Sequence, residues 1–145
     1  MLHVGGGIMN GMKFVHAMRM PIRWGDMDLM GHVNNTVYFR YLEQARIEWF
    51  VEAGCAPDPG GEGPVIINAH CTFLRQLKYP GEIEIRTHVG PPGRSSFEML
   101  HEIRRIDQPD VVAAQGGAKV VWVNFPQEKS APLPERIRAL LAPLP

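Results

Sequence analysis

Residues Asp26 to Asn35 read D-M-D-L-M-G-H-V-N-N and run straight into an apolar helical pattern, so carboxylate, imidazole and amide groups gather at a helix start. The first turn of a helix leaves backbone N–H groups unpaired and carries about half a positive charge, which favours an oxyanion or a carbonyl becoming one. A carboxylate beside it can activate water or attack directly. Taken singly, each Asp of the run is as well suited to a turn or a cap.

The helix has clear reasons to begin there. Asn34 and Asn35 are good capping residues, because a side-chain oxygen can accept from the backbone N–H two or three positions on, and Gly31 permits the sharp approach. From Thr36 to Ala53, Tyr38, Tyr41, Leu42, Ala45 and Trp49 recur at steps of three and four, while Arg40, Glu43, Arg46 and Glu48 take much of the remaining surface. Val37, Phe39, Ile47, Phe50 and Val51 lie off that stripe, which predicts a helix packed on more than one side. Gly54 is the expected stop.

Around this helix the chain reads as strands. His16 to Trp24 predicts a first strand, confined to an edge by Pro21. After a Pro/Gly-rich loop come Val65 to Leu74, Gly81 to Gly90, Arg94 to Ile106 and Val111 to Phe125, with a bend expected at Gly116-Gly117. The third strand alternates most cleanly, Ile83, Ile85, Thr87 and Val89 against Glu82, Glu84, Arg86 and His88, which predicts a sheet with one wet face. Pro134 to Leu141 reads as a short final helix. The short connections between the last four strands imply antiparallel pairing, with the long helix covering the apolar sheet face.

Composition bounds the possibilities. With 145 residues, 45% hydrophobic and 21% charged, the chain suits one folded domain, taken as residues 16–145, behind a flexible glycine-rich extension of residues 1–15 in which Met9 or Met12 could be the natural start. Fifteen Lys and Arg balance fifteen Asp and Glu, which argues against nucleic acid or an anionic membrane as partner. Cys55 and Cys71 form no C-x-x-C, so neither a disulfide framework nor a zinc site is expected, and Cys71 reads as core. No secretory leader or apolar run of about 20 residues is visible, so the expected compartment is the cytoplasm. There is no G-x-S-x-G elbow to support Ser–His–acid hydrolysis.

The run R-W-G-D-M-D-L-M-G-H-V-N-N-T-V-Y-F-R-Y-L-E-Q-A-R resembles the signature of the hotdog-fold acyl-CoA thioesterases of the 4-hydroxybenzoyl-CoA thioesterase type. F-L-R-Q-L-K-Y-P-G-E-I-E-I-R-T from Phe73, G-R-S-S-F from Gly93 and P-L-P-E-R-I-R-A-L-L near the end extend the likeness over roughly Arg19 to Leu141. The resemblance implies an α+β hotdog fold, an antiparallel five-stranded sheet wrapped round the long helix, and pairing into homodimers or homotetramers. It implies hydrolysis of an acyl-CoA, or an acyl-carrier protein thioester, in a groove between protomers, with no metal or organic cofactor. The family's carboxylate corresponds to Asp28, as general base or nucleophile, and its carbonyl-polarising N–H to about Asn35. His32 would orient the carboxylate, contact substrate or make a structural bond; Asp26 reads as structural. For the coenzyme, Arg94, Ser95 and Ser96 after a Pro/Gly turn could bind phosphate, with Arg75 and Lys78 as further candidates, though a solvated loop explains them equally. Trp24, Met30, Tyr38 and Phe73 are candidate groove walls. Some of the wider group use a helix Glu instead; Glu43, Glu48 and Glu52 are available but read better as a solvated face. The rival readings are an enoyl-thioester hydratase or dehydratase and a non-catalytic acyl-CoA or acyl-carrier binding module.

Overall fold

The computed structural model describes residues 11–143, so the expectations for the first ten residues lie outside it. The elements are β1 (Lys13–Pro21), a 3-10 turn (Trp24–Asp26), α1 (Asn35–Glu52), β2 (Glu62–Phe73), β3 (Glu82–Val89), β4 (Ser96–Arg105), β5 (Ala114–Asn124), a two-residue β6 (Lys129–Ser130) and α2 (Glu135–Leu141). The sheet runs β1-β3-β4-β5-β2 with every neighbouring pair antiparallel, and β6 folds back onto the end of β5. This is the α+β hotdog arrangement. Among the described residues no helix is long and apolar enough to cross a membrane.

Local chemistry explains most of these elements. In β3 the four apolar-side residues Ile83, Ile85, Thr87 and Val89 are buried, as the period-two pattern predicts. The α1 stripe Tyr38, Tyr41, Leu42, Ala45 and Trp49 is buried too, against the same sheet face. Each fully buried Leu or Ile there contributes about 2 kcal/mol through apolar area removed from water.

Three expectations need correction. β1 begins at Lys13, inside the stretch read as an extension, and ends at Pro21 rather than Trp24, with the Ile22 N–H making a last bond to the Gly81 carbonyl at 2.8 Å before the chain turns away. Gly116-Gly117 carry no bulge: pairing runs in register through both on either side. They are close-approach positions instead, since a Cβ on Gly116 would lie 2.6 Å from Leu42 Cδ1 and 2.7 Å from the His70 carbonyl oxygen. The register shifts fall in the edge strands, between Phe14 and His16 and between Ile66 and Asn68. Finally, the off-stripe apolar residues of α1 divide within the chain: Phe50 is buried and Val37 packs against the core, while Phe39, Ile47 and Val51 are exposed.

The core divides into two parts. Tyr38, Tyr41 and Leu42 pack with Ile83, Ile85 and Ile103 under the first half of α1, and Trp49 and Phe50 pack with Phe97, Met99, Trp122 and α2 under the second. Between them lies a buried polar row, in which His16 of β1 pairs in register with Thr87 of β3, and Thr87 with His101 of β4.

Candidate active site

The chain between the 3-10 turn and α1 is a tight loop closed by an isolated bridge between Met27 and Val33. Asp28 organises it. Its N–H donates to the His32 carbonyl at 2.7 Å, and its Oδ1 accepts from the backbone N–H of Met30 at 2.9 Å and of His32 at 3.2 Å. Gly31, at φ +77°, supplies the left-handed residue that the reversal requires. Among the described residues no donor reaches Oδ2. One carboxylate oxygen is therefore anchored by the backbone while the other keeps its lone pairs.

Asp26 has the structural role expected of it. Its Oδ2 accepts from the Arg23 N–H at 2.9 Å and from the Tyr41 hydroxyl at 2.7 Å, and its carbonyl accepts from the Asn34 N–H at 3.0 Å. Burial, reinforced by that bond, holds the Tyr41 phenol protonated far above its usual range. The loop is thus tied to the helix it feeds. Asn34 is the cap, its Oδ1 accepting from the Thr36 N–H at 2.9 Å and the Thr36 hydroxyl at 2.8 Å. Asn35 is the first helical residue, and among the described residues its N–H meets no acceptor.

Asp28, His32, Asn35, Tyr38 and Arg75 all border one open groove of about 400 Å³. Met30, Val33, Phe73 and Leu74 give it apolar walls, and the Phe73 ring meets Tyr38 edge-on at 5.0 Å. Burial raises the Tyr38 hydroxyl above its usual range, so the group enters the groove wall as a neutral phenol. The His32 side chain makes no hydrogen bond among the described residues; its link to Asp28 runs through its backbone. Burial pushes the Cys71 thiol up to about 11, which leaves it protonated and without nucleophilic character at neutral pH.

Other expected site residues do not assemble here. Trp24 is exposed and does not line the groove. Lys78 lies on the neighbouring surface beside Arg105 and Asp107. Arg94, Ser95 and Ser96 lie at the opposite end of the sheet, where the Arg94 and Ser95 carbonyls accept from Leu133 and Trp122. The 8 residues of β3 separate the two ends by roughly 27 Å of extended chain. Glu43 pairs with Arg40 at 2.9 Å, and Glu48 and Glu52 turn toward His16, so no helix glutamate reaches the groove. Gln76, a groove residue that sequence reasoning did not single out, stands between Arg75 and Leu77 in the run that carries the downstream likeness.

Comparison with known proteins agrees with the fold. The PA2801 protein of Pseudomonas aeruginosa superposes with a TM-score of 0.86 at 38% identity, covering 90% of this chain and 100% of that one. The 4-hydroxybenzoyl-CoA thioesterase of Pseudomonas sp. (strain CBS-3) is 28% identical over 94 residues, 61% of this chain and 67% of that protein. YsmA of Bacillus subtilis (strain 168) is 27% identical over 81 residues, and there the chain spans about half of its relative, 55% of its length. With residues 22–141 matching the Thioesterase-like superfamily, from the end of β1 to the end of α2, the chain belongs to that family.

Proposed function

We propose that this protein hydrolyses an acyl-CoA thioester in the groove beneath the start of α1, with Asp28 as the catalytic carboxylate. The observation that carries the reading is the division of labour within that side chain: Oδ1 is fixed by two backbone N–H groups while Oδ2 meets no donor among the described residues, in the same groove as the Asn35 N–H, which meets no acceptor among them. The family, and the likeness to a thioesterase acting on an aromatic acyl-CoA, support the substrate class.

In the general-base form, Oδ2 takes a proton from water as its oxygen bonds to the thioester carbonyl carbon. The carbonyl oxygen becomes an oxyanion, stabilised by the Asn35 N–H and the positive end of α1. Collapse breaks the C–S bond, and the thiolate of CoA leaves. In the nucleophilic form, Asp28 attacks the carbonyl, expels the thiolate and forms a mixed anhydride, which water then cleaves. Both need water as the sole co-substrate, with no metal or organic cofactor in the chemistry. The apolar walls Met30, Tyr38 and Phe73 suit the acyl group, and Arg75 at the rim suits phosphate.

Assembly completes the site on this reading. β2 is an edge strand of 12 residues, mostly exposed, with Ile67 and Phe73 turned outward. Such an edge is a template for a second copy. Antiparallel pairing of two β2 strands would set the start of one beside the Phe73 end of the other. That brings the end of the sheet holding Arg94, Ser95 and Ser96 toward the partner's groove and covers Ile47 of α1. A chain mass twice that of the monomer by light scattering, reduced to one by Ile67→Lys, is the expected result.

The decisive assay is thiol release from short, long and aromatic acyl-CoAs by wild type and Asp28→Asn. The amide keeps the loop's acceptor but is a poor base and nucleophile, so turnover should fall about a hundred- to ten-thousand-fold. Near-normal hydrolysis by the variant refutes the role of Asp28. Tight binding of acyl-CoA by folded wild type with no thiol release points instead to a binding module.

A further inference from the structure

Where the second half of α1 meets edge strand β1, one imidazole faces two carboxylates. Glu48 and Glu52 stand four residues apart, hence on one face of the helix. His16 meets them from β1, just past the register shift that follows Phe14. Its Nε2 lies 3.2 Å from Glu48 Oε1, and its Nδ1 3.0 Å from Glu52 Oε2. His16 is only 6% exposed, and Nε2, despite that approach, makes no hydrogen bond. A ring nitrogen buried in this way and aimed at a carboxylate is short of a partner.

Charge points the same way. Both carboxylates sit near the C-terminal end of α1, where the helix itself carries about half a negative charge, and its last turn holds no basic residue. Lys13, on the same strand as His16, is committed to the carbonyls of Leu140 and Ala142. An imidazolium could supply one positive charge against these negatives; a divalent ion supplies two.

We propose that His16, Glu48 and Glu52 hold one divalent transition-metal ion of the Zn²⁺ class, which clamps β1 to α1. One ligand atom from each residue can be chosen so that all lie within 4.8 Å of one another. A zinc ion sits about 2 Å from each ligand, which places tetrahedral ligands about 3.4 Å apart. The ligand atoms must therefore close by up to about 1.4 Å, and the Glu52 carboxylate must swing from Nδ1 to the Nε2 side of the ring. The Glu52 side chain, 61% exposed, has the freedom to make that movement. Nε2 and the two carboxylates give three protein ligands, and water fills the fourth position. An imidazole in the set favours Zn²⁺ over Mg²⁺ or Ca²⁺, which take oxygen ligands. The low cysteine count that argued against a zinc site has no bearing on a His/Glu one. None of the three residues lines the groove, so the ion is structural and independent of the thioesterase reading.

The test is calorimetric titration of Zn²⁺ into tag-free, chelator-treated full-length protein, with thermal unfolding and the visible spectrum of the Co²⁺ form alongside. The expected result is one ion per chain, a Tm raised by about 9 °C with the ion in hundredfold excess over its Kd, and a cobalt spectrum of nitrogen and oxygen ligands. Glu48→Gln and Glu52→Gln, at partly exposed positions, should each weaken binding at least tenfold, and Asp28→Asn should not. Two results overturn the site: no saturable binding at millimolar Zn²⁺, or binding unchanged in the Glu48→Gln, Glu52→Gln double variant. Destabilisation of that variant by the same amount with and without Zn²⁺ also overturns it, because His16 then serves only as the partner of two carboxylates.

Discussion

His101 lies wholly inside the core, and its protonation should set the acid limit of this fold. Its Nδ1 is 2.9 Å from the Thr87 hydroxyl, and its Nε2 is buried without a partner. Burial, aided by electrostatic repulsion from neighbouring Arg46, His88 and His16, pushes the imidazole down to about 3 from 6.5. The folded state therefore holds it neutral at pH values where the unfolded chain takes up a proton. The cost is absent above pH 6.5, grows about tenfold in the folding equilibrium with each pH unit below it, and levels off near pH 3. At pH 5 the shortfall is about thirtyfold, or about 2 kcal/mol. His101→Asn places an amide where Nδ1 stood, retains a partner for Thr87 and removes the titration. It should cost about 1–3 kcal/mol at pH 7 for the lost ring atoms. Urea unfolding of both proteins at pH 7 and pH 5 isolates the effect, since other titrating groups act equally in each. Wild type should lose about 2 kcal/mol more than the variant between the two pH values. Equal losses would refute the claim that buried, neutral His101 controls acid stability.

The remaining predictions concern positions where one atom is decisive. Gly116→Ala should destabilise by about 2 kcal/mol, because the new methyl meets buried Leu42 and the His70 carbonyl, and backbone has little room to yield; an unchanged urea midpoint would show that α1 can lift off β5 freely. Asn34→Ala should cost about 1 kcal/mol by removing the acceptor for the Thr36 N–H and hydroxyl, and Asn34→Asp should restore most of it. Tyr41→Phe deletes the bond to Asp26, so thermal unfolding should report a loss of about 1–2 kcal/mol.

Much of the fold was legible because its signals are local. The alternation of β3 and the three-and-four spacing of α1 each read correctly within a window of ten to twenty residues, and the Asn34 cap and the Asx-type loop at Asp28 involve partners no more than four positions away. Misreadings arose where the decisive neighbour was remote. Gly116 looks like a bend in isolation, yet it faces Leu42, which is 74 positions earlier by number. Glu48 and Glu52 read as a solvated helix face and keep 36% and 61% of their side chains exposed, but only the fold sets His16 of β1 against them. Arg94, Ser95 and Ser96 compose a credible phosphate-binding turn, but composition says nothing of which end of the sheet receives it.

By itself, then, the sequence determined the elements and the helix start, since each follows from propensity, period and short-range hydrogen bonds, while Asp28 stands out as the candidate carboxylate through the resemblance of its motif to the thioesterase signature. Only the tertiary structure decided that β1 lies beside β3, that Phe73 and Arg75 close the groove across from Asp28, and that a polar row from His16 to His101 divides the core. Those outcomes depend on burying one sheet face and one helix face against each other at once, and many arrangements satisfy the same local pattern until that packing selects one.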